Sequence, residues 1–210
     1  MKIFFCGIKS CGKGTQAKLL SEKLKISHIS SGDLFRDIDK TTKLGKKIRS
    51  YIDKGSYVPD ELTNTLVTQR IEKEDCKNGF ILDGFPKTLE QAKFFNKKHK
   101  FDYIIIINVD RKEALRRISG RRVCPKCDIS YNIYTAPKPK KENICDKCGS
   151  KLFIREDESE EATNRRIDRD MKEMKPMLNF YKDKKIVIEI NGDQSIESVH
   201  QEILKKLRIK

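Results

Sequence analysis

Met1-Lys-Ile-Phe-Phe-Cys-Gly-Ile-Lys-Ser-Cys-Gly-Lys-Gly-Thr-Gln-Ala-Lys-Leu-Leu20 is the stretch on which the fold turns. Ile3 to Cys6 form a short apolar run that reads as a buried strand. From Thr15 a helix is expected, with Ala17, Leu19, Leu20 and Leu24 facing inward. Between the two, Gly7 and Gly12 bracket four residues and Lys13 follows. A strand, a glycine-bracketed turn and a helix start gather backbone N–H groups and the positive end of the helix dipole around an anion, with a lysine in reach of a terminal phosphate. The strict phosphate-loop pattern has a hydroxyl directly after the lysine. Here Gly14 stands there and Thr15 comes one place later, so this hydroxyl is not assigned to magnesium.

The totals set bounds around that cradle. A chain of 210 residues is long enough for one sizeable core, with or without inserts. No apolar run approaches the length needed to span a bilayer, and the early apolar stretch is too short for a signal peptide, so a cytoplasmic protein without a membrane partner is expected. The formal charge of +15 points to anionic partners, although its lysines are spread along the whole chain as on a solvated surface. Seven cysteines without a secretion signal suggest a reducing compartment, where paired cysteines more often hold metal than form disulfides.

Downstream, strands and helices alternate. Ile26 to Ile29 reads as a second strand leading into Ser31-Gly-Asp-Leu-Phe-Arg36, where Ser30 or Ser31 caps a helix and Arg36 lies a turn further on. Residues 41–54 suggest a helix with Leu44, Ile48, Tyr51 and Ile52 apolar, stopped at Gly55, and a longer helix is expected from about Val58 to Asp75. Phe80 to Asp83 reads as a strand ending on a carboxylate, the usual place for a group that orients magnesium beside such a cradle. Gly84, Phe85 and Pro86 form the turn, and a helix is expected from Lys87 to Lys98 with Gln91 facing the same way as Lys87. Asp102 to Val109 reads as a central parallel strand, followed by a helix from Arg111 to Ser119. A long helix ending near Tyr181, a strand from Lys184 to Ile190 and an amphipathic helix over 194–207 complete a doubly wound α/β pattern with a parallel sheet.

The pattern is interrupted by Cys124-Pro-Lys-Cys127 and Cys145-Asp-Lys-Cys148, seventeen residues apart. This is the spacing of a four-cysteine zinc ribbon, a closed tetrahedral site and therefore structural. The segment has no long apolar run of its own, so metal would supply its folding energy. It is also basic, with Lys138, Lys140, Lys141, Lys147 and Lys151, and Tyr131 and Tyr134 are candidates for stacking on bases. A zinc-ribbon protein that binds nucleic acid and uses ATP as a switch is thus the alternative from a different class.

Five separated runs, Gly7 to Gln16, Ser31 to Arg36, Asp83 to Thr88, Gly120 to Cys124 with its insert, and Arg155 to Arg166, together resemble adenylate kinase of the long-lid, zinc-binding kind over essentially the whole chain. The run Gly12-Lys-Gly-Thr-Gln16 recurs among nucleoside monophosphate kinases. The resemblance implies phosphoryl transfer from Mg-ATP to AMP giving two ADP, with a core at 1–29, 60–119 and 160–210, an AMP-binding segment at 30–59, a zinc lid at 120–159, and a monomer. It implies that Ser10, Cys11, Gly12, Lys13, Gly14 and Thr15 cradle the ATP phosphates, joined by Arg117, Arg121, Ser130, Tyr131 and Gln194. Ser31, Arg36, Ser56, Tyr57, Val58, Gly84, Phe85, Pro86, Lys87 and Gln91 match the AMP site. Arg155 and Arg166 would close on the phosphates between the substrates, and Lys13, Asp83, Lys87, Arg121, Arg155 and Arg166 would carry catalysis. Cys124, Cys127, Cys145 and Cys148 would hold one structural zinc. The nearest alternative within the enzyme class is a related kinase with another acceptor base, and nucleic acid is the less favoured partner.

Two positions depart from the family pattern. Lys9-Ser10 stands where Pro-Gly is usual, and Lys87 where arginine is usual. Lysine keeps the charge but loses the bidentate fork, which costs roughly 1.5–3 kcal/mol, or about ten- to hundredfold in rate, if nothing compensates. On this reading Lys87→Arg raises turnover unless another cation, Lys9 for instance, makes up the loss. The remaining cysteines, Cys6, Cys11 and Cys76, read as core residues, with Cys11 in the cradle open to alkylation.

Overall fold

The computed structural model describes residues 1–54, 56–155 and 158–209. Its main sheet has five parallel strands in the order β2-β3-β1-β4-β7: β1 (Lys2–Cys6), β2 (Ser27–Ser30), β3 (Phe80–Asp83), β4 (Tyr103–Asn108) and β7 (Val187–Asn191). β1 occupies the middle, pairing Phe5 with Asp83 on one side and with Ile105 on the other. The apolar run at Asp102–Val109 therefore lies beside the centre, between β1 and β7.

Period-two alternation sends side chains to two separate cores. Ile3, Phe5, Ile105 and Ile107 face one side, packed with Ala17 and Leu20 of α1 (Lys13–Leu24), Ala114 of α6 (Arg111–Ser119) and Val199, Ile203 and Leu207 of α8 (Ile196–Leu207). Phe4, Cys6, Ile104 and Ile106 face the other, against Val67 and Ile71 of α4 (Asp60–Ile71), Ala92 and Phe95 of α5 (Leu89–Lys98) and Met177 of α7 (Glu160–Asn179). A third small core, Ile48, Ile52 and Val58 with Phe35, Ile38 and Leu62, is built where α2 (Ser31–Asp37) and α3 (Lys43–Ile52) meet α4.

Caps set most helix boundaries. Ser30, Thr42, Thr88, Asp110, Ser159 and Ser195 each accept a hydrogen bond from a backbone N–H in the first turn of α2, α3, α5, α6, α7 and α8. Thr88 starts α5 at Leu89, which leaves Lys87 in the preceding turn rather than in the helix. α4 stops at Ile71, before a short 3₁₀ turn at Glu74–Cys76. In α3 the apolar Leu44 points to solvent, and the expected stop at Gly55 lies outside the described residues. The insert forms a two-stranded antiparallel sheet, β5 (Arg121–Val123) with β6 (Ser130–Asn132), extended by a Val123–Phe153 bridge.

Candidate active site

Ligands of open parallel sheets bind at the carboxyl ends of the strands, where the strand order reverses. Here that point follows β1. The turn closes with Cys11 N donating to Ile8 O at 3.2 Å, and α1 starts at Lys13, two residues earlier than expected. Gly7 has φ +144°, and a Cβ there would meet Ile107 O at 2.5 Å and Cys11 Sγ at 2.6 Å, so the position requires glycine. Ser10 holds a left-handed φ of 66° without being glycine. The Lys13 ammonium arches back over the turn, donating to Gly7 O at 2.9 Å and Ile8 O at 3.0 Å. Burial opposes its charge, but Cys11, Asp83 and Asp170 around it outweigh that and raise its pKa. Cys11 itself is 1% exposed and burial pushes its thiol up, so it is packing rather than the alkylation site anticipated.

Asp83 ends β3 over the first turn of α1, where a Cβ at Gly14 would lie 3.2 Å from its Oδ2. Burial alone would raise its pKa; the His28 imidazole 3.9 Å away and the charge of Lys13 turn the shift downward. Asp83 is therefore an anion facing a cation at the mouth of the cradle.

One cleft of about 1460 Å³ runs from the cradle to the α2–α4 segment and the insert. Drug-sized sites occupy roughly 300–1,000 Å³, so two nucleotides fit. Its walls bring together Ser10 to Thr15, Ser31, Arg36, Ser56, Tyr57, Val58, Asp83, Gly84, Lys87, Gln91, Arg117, Arg121, Ser130, Tyr131, Arg155, Arg166 and Gln194. Phe85 and Pro86 stand apart: both side chains are buried, Phe85 edge-on to Phe95. Tyr131 reaches the cleft, but its phenol is buried and turned to the cysteines, donating to or accepting from Cys145 Sγ at 3.6 Å and accepting from Asp146 N at 3.0 Å. It cannot stack on a base, which takes from the nucleic-acid reading one of its two aromatics.

The cationic groups are held by partners that a phosphate can replace. Arg36 bonds to Asp33, Arg117 to Glu113 at 2.8 Å and Gly192 O at 2.9 Å, and Arg155 to Asp128 at 3.4 Å. Arg121 donates to Glu158 at 2.7 Å and to Ser10 Oγ at 2.8 Å. Arg166 donates to Ile52 O at 2.9 Å. Lys9 lies 3.1 Å from the same Glu158 oxygen as Arg121. It is thus committed on the insert side of the cradle and is not the group that compensates at position 87.

Gln91 fixes the turn after β3, accepting from Lys87 N at 2.7 Å and donating to Asp60 at 2.7 Å. Ser31 Oγ donates to Gly84 O at 2.8 Å, and Gly84 needs its φ of +76° to bring that carbonyl round. Gln194 caps the far end, donating to Asn191 O and Glu202, each at 2.9 Å. The sequence reading missed Glu158 and Asp170, both acids of a strongly charged stretch that look solvent-facing by composition. The one signal for Asp170 was its spacing of four from Arg166, which puts both on one face of α7.

In the insert the four cysteine sulfurs lie within 4.8 Å of one another, with Cys124 and Cys148 3.5 Å apart. Tetrahedral zinc with Zn–S of about 2.3 Å needs S···S of about 3.8 Å, so the donor set and spacing fit zinc. The two knuckles match in geometry: Asp128 N donates to Cys124 O at 3.0 Å and Gly149 N to Cys145 O at 2.9 Å, and both Asp128 and Gly149 are left-handed. Hydrogen bonding with Ser150 and then Cys127 lowers the Cys148 thiol to about 6, while the bond to Cys148 raises Cys127 to about 12, so the two sulfurs share a proton that a metal would displace.

A parallel sheet with a lysine-capped phosphate turn at its switch point, a carboxylate beside it and arginines converging from an insert define a P-loop protein built to transfer phosphoryl groups between nucleotides. The adenylate kinase family model matches residues 5–186. The chain is 45% identical to the adenylate kinase of Caldanaerobacter subterraneus subsp. tengcongensis, covering 99% of this chain and 96% of that one. It is 44% identical to that of Clostridium acetobutylicum, over 97% of both, and 42% identical to that of Bacillus licheniformis, over 99% of this chain and 98% of the other. The chain belongs to the adenylate kinase family. Among the described residues no helix is long and apolar enough to cross a membrane.

Proposed function

We propose that ATP:AMP phosphoryl transfer is carried out by the residues of this cleft in the following division of labour. The backbone of Ser10 to Thr15 cradles the ATP phosphates, and Lys13 exchanges its carbonyl partners for the transferring group. Arg117 and Arg121 exchange Glu113 and Glu158 for ATP phosphates at the root of the insert, with Ser130, the backbone of Tyr131 and Gln194 along the nucleotide. Ser31, Arg36, the backbone of Ser56 to Val58, the turn Gly84 to Lys87 and Gln91 receive AMP. Arg155 and Arg166 draw onto the phosphates between the two. Residues 30–59 and 120–159 act as closing segments on the core of 1–29, 60–119 and 160–210.

No nucleophilic side chain is required. The reaction passes through a loose transition state, so in-line positioning and cationic groups on the equatorial oxygens supply the rate. Magnesium arriving with ATP would add charge neutralisation, and Asp83 is placed to orient it or its waters. The closed insert excludes water, which would otherwise take the phosphoryl group to hydrolysis. Zinc held by Cys124, Cys127, Cys145 and Cys148 would suit that duty, because it would make the segment move as one piece and would be structural rather than catalytic.

The observation that carries this reading is the convergence of Lys13, Asp83, Lys87, Arg121 and Arg166 on one cleft with room for two nucleotides. The test is a coupled assay of ADP formation from Mg-ATP with AMP, CMP, UMP and GMP as acceptors, run with replacements of Lys13 and Arg166. Rapid turnover restricted to AMP, and lost in both variants, is expected. Turnover with a different acceptor corrects the substrate, and silence with all four in folded, zinc-replete protein removes the assignment of these residues.

A further inference from the structure

Asp170 belongs to none of the sequence motifs, yet it is 7% exposed at the floor of the cleft, one turn of α7 beyond Arg166. Its Oδ1 accepts two hydrogen bonds: from the Tyr57 hydroxyl at 2.5 Å and from the Lys87 ammonium at 3.2 Å. The same ammonium stands 4.9 Å from the centre of the Tyr57 ring, and the Arg169 guanidinium lies 5.1 Å from that ring. The cluster joins three separate segments: the run before α4, the turn after β3, and α7.

Burying a carboxylate is an expensive way to join segments even beside the half-buried Lys87, because its desolvation consumes much of the attraction and an apolar contact does as well. The arrangement has a different physical merit. A lysine carries a point charge on a flexible four-carbon stem, whereas a guanidinium brings two aligned donors to a phosphate by its own geometry. An ammonium clamped between a carboxylate oxygen and an aromatic face has lost that freedom before any ligand arrives, and one of its three N–H bonds is directed to Asp170 while the others remain for an anion.

We propose that Asp170 is a positioning residue of the acceptor site: together with Tyr57 it fixes the Lys87 ammonium where the acceptor phosphate binds, so that lysine serves at a place suited to arginine. This rests on the reading of Lys87 as an acceptor-phosphate ligand. It also changes the expectation for position 87. With Asp170 in place the lysine is already ordered, so Lys87→Arg alone shifts kcat and the AMP KM by less than about threefold rather than ten- to hundredfold.

The test is steady-state kinetics on the full chain, varying AMP and ATP separately, for Asp170→Asn, Lys87→Arg and the double variant, with folding checked by thermal melting. Asp170→Asn is expected to raise the AMP KM about tenfold and leave the ATP KM within about twofold, and the double variant to return to within about threefold of Lys87→Arg. Rescue by arginine is the signature, since a merely structural role gives the same penalty in both backgrounds and overturns the proposal. A lower AMP KM in Asp170→Asn also overturns it, by showing that the carboxylate competes with AMP. Should Asp170→Asn not fold, Tyr57→Phe removes one bond to the carboxylate without changing its charge. It is expected to raise the AMP KM about threefold with lysine at 87 and by a clearly smaller factor with arginine there; equal effects overturn the proposal. Wild-type protein that makes no ADP from ATP and AMP defeats the functional reading instead, so the two failures are distinguishable.

Discussion

Gly7 carries two requirements at once. Its φ of +144° is a region L side chains rarely adopt, and the space a Cβ would fill already holds Ile107 O and Cys11 Sγ. Gly7→Ala must strain the backbone and displace the neighbouring strand, which places it among the most damaging single changes, at about 3 kcal/mol or more. For a chain of this size that is a fall in Tm of roughly 6–12 °C, measurable by calorimetry; a shift under about 2 °C means the cradle relaxes more freely than its contacts suggest. Asp83 and Asp170 set a pH dependence. Burial raises both, but His28 and Lys13 at Asp83, and Lys87 and Lys13 at Asp170, outweigh it and hold each below the ordinary carboxylate range. A carboxylate depressed in the folded state adds stability above its unfolded value and loses it as pH falls through the folded one, so this contribution is complete above about pH 4 and fades below it. The stability gap between wild type and Asp170→Asn, from urea melts, should narrow between pH 5 and pH 3. A gap that stays constant or widens shows that Asp170 is not ionised in the folded chain. The positions of the cradle glycines were legible in sequence because spacing alone exposes them. The burial of Asp170 was not, because it depends on which of many charged residues the packing of α7 turns inward.

Elements were legible where an apolar run or a helical spacing of apolar residues marks them, and less so at their ends. β1 and β4 are apolar on both faces and supply two cores, whereas the Thr88 cap, which starts α5 at Leu89, was passed over and Lys87 was read into the helix. α4 was read too long because the charged run after Ile71 keeps a helical composition while the chain turns to bring Arg70 onto Asp75 at 2.7 Å. The insert shows the opposite balance. Its core consists of Cys124, Tyr131, Cys145 and Leu152 with Cys127 and Ile129 packed against them, half of them metal-ligand candidates, which is little apolar surface for a fold held by burial alone. Chelation, or Cys145→Ser at a buried ligand position, should therefore unfold the insert and spare the sheet. The expected result is loss of about one zinc per chain together with protease cleavage between residues 125 and 147, while far-ultraviolet circular dichroism changes little. Metal-free protein that resists cleavage there would show the knuckles standing on hydrogen bonds alone.

At the scale of the whole molecule the fold was legible from its alternating elements, but the distribution of charge was not. Ten basic and eight acidic side chains line the cleft, so most of the formal +15 lies elsewhere. Part of it is on the insert, where Lys138, Lys140, Lys141, Lys147 and Lys151 are all exposed. Sequence totals cannot reveal this, because the acids that balance the site arrive from α2, α6, α7 and the turns by tertiary packing. The separation has a consequence for salt. Contacts to nucleotide inside a closed cleft are short and shielded, whereas exposed charges act through solvent over a Debye length of about 10 Å at 0.1 M. Raising KCl from 20 to 300 mM should then increase the AMP KM by no more than about threefold, since specific contacts and not the global field supply the binding. Retention on a single-stranded polyanion such as poly-U should fall steeply over the same range, with the log–log slope of counterion release, because only the exposed lysines contribute. If the AMP KM instead climbs tenfold or more in parallel with loss of poly-U binding, the surface charge is drawing nucleotide into the cleft, and the basicity of this chain is part of its catalysis rather than of its surface.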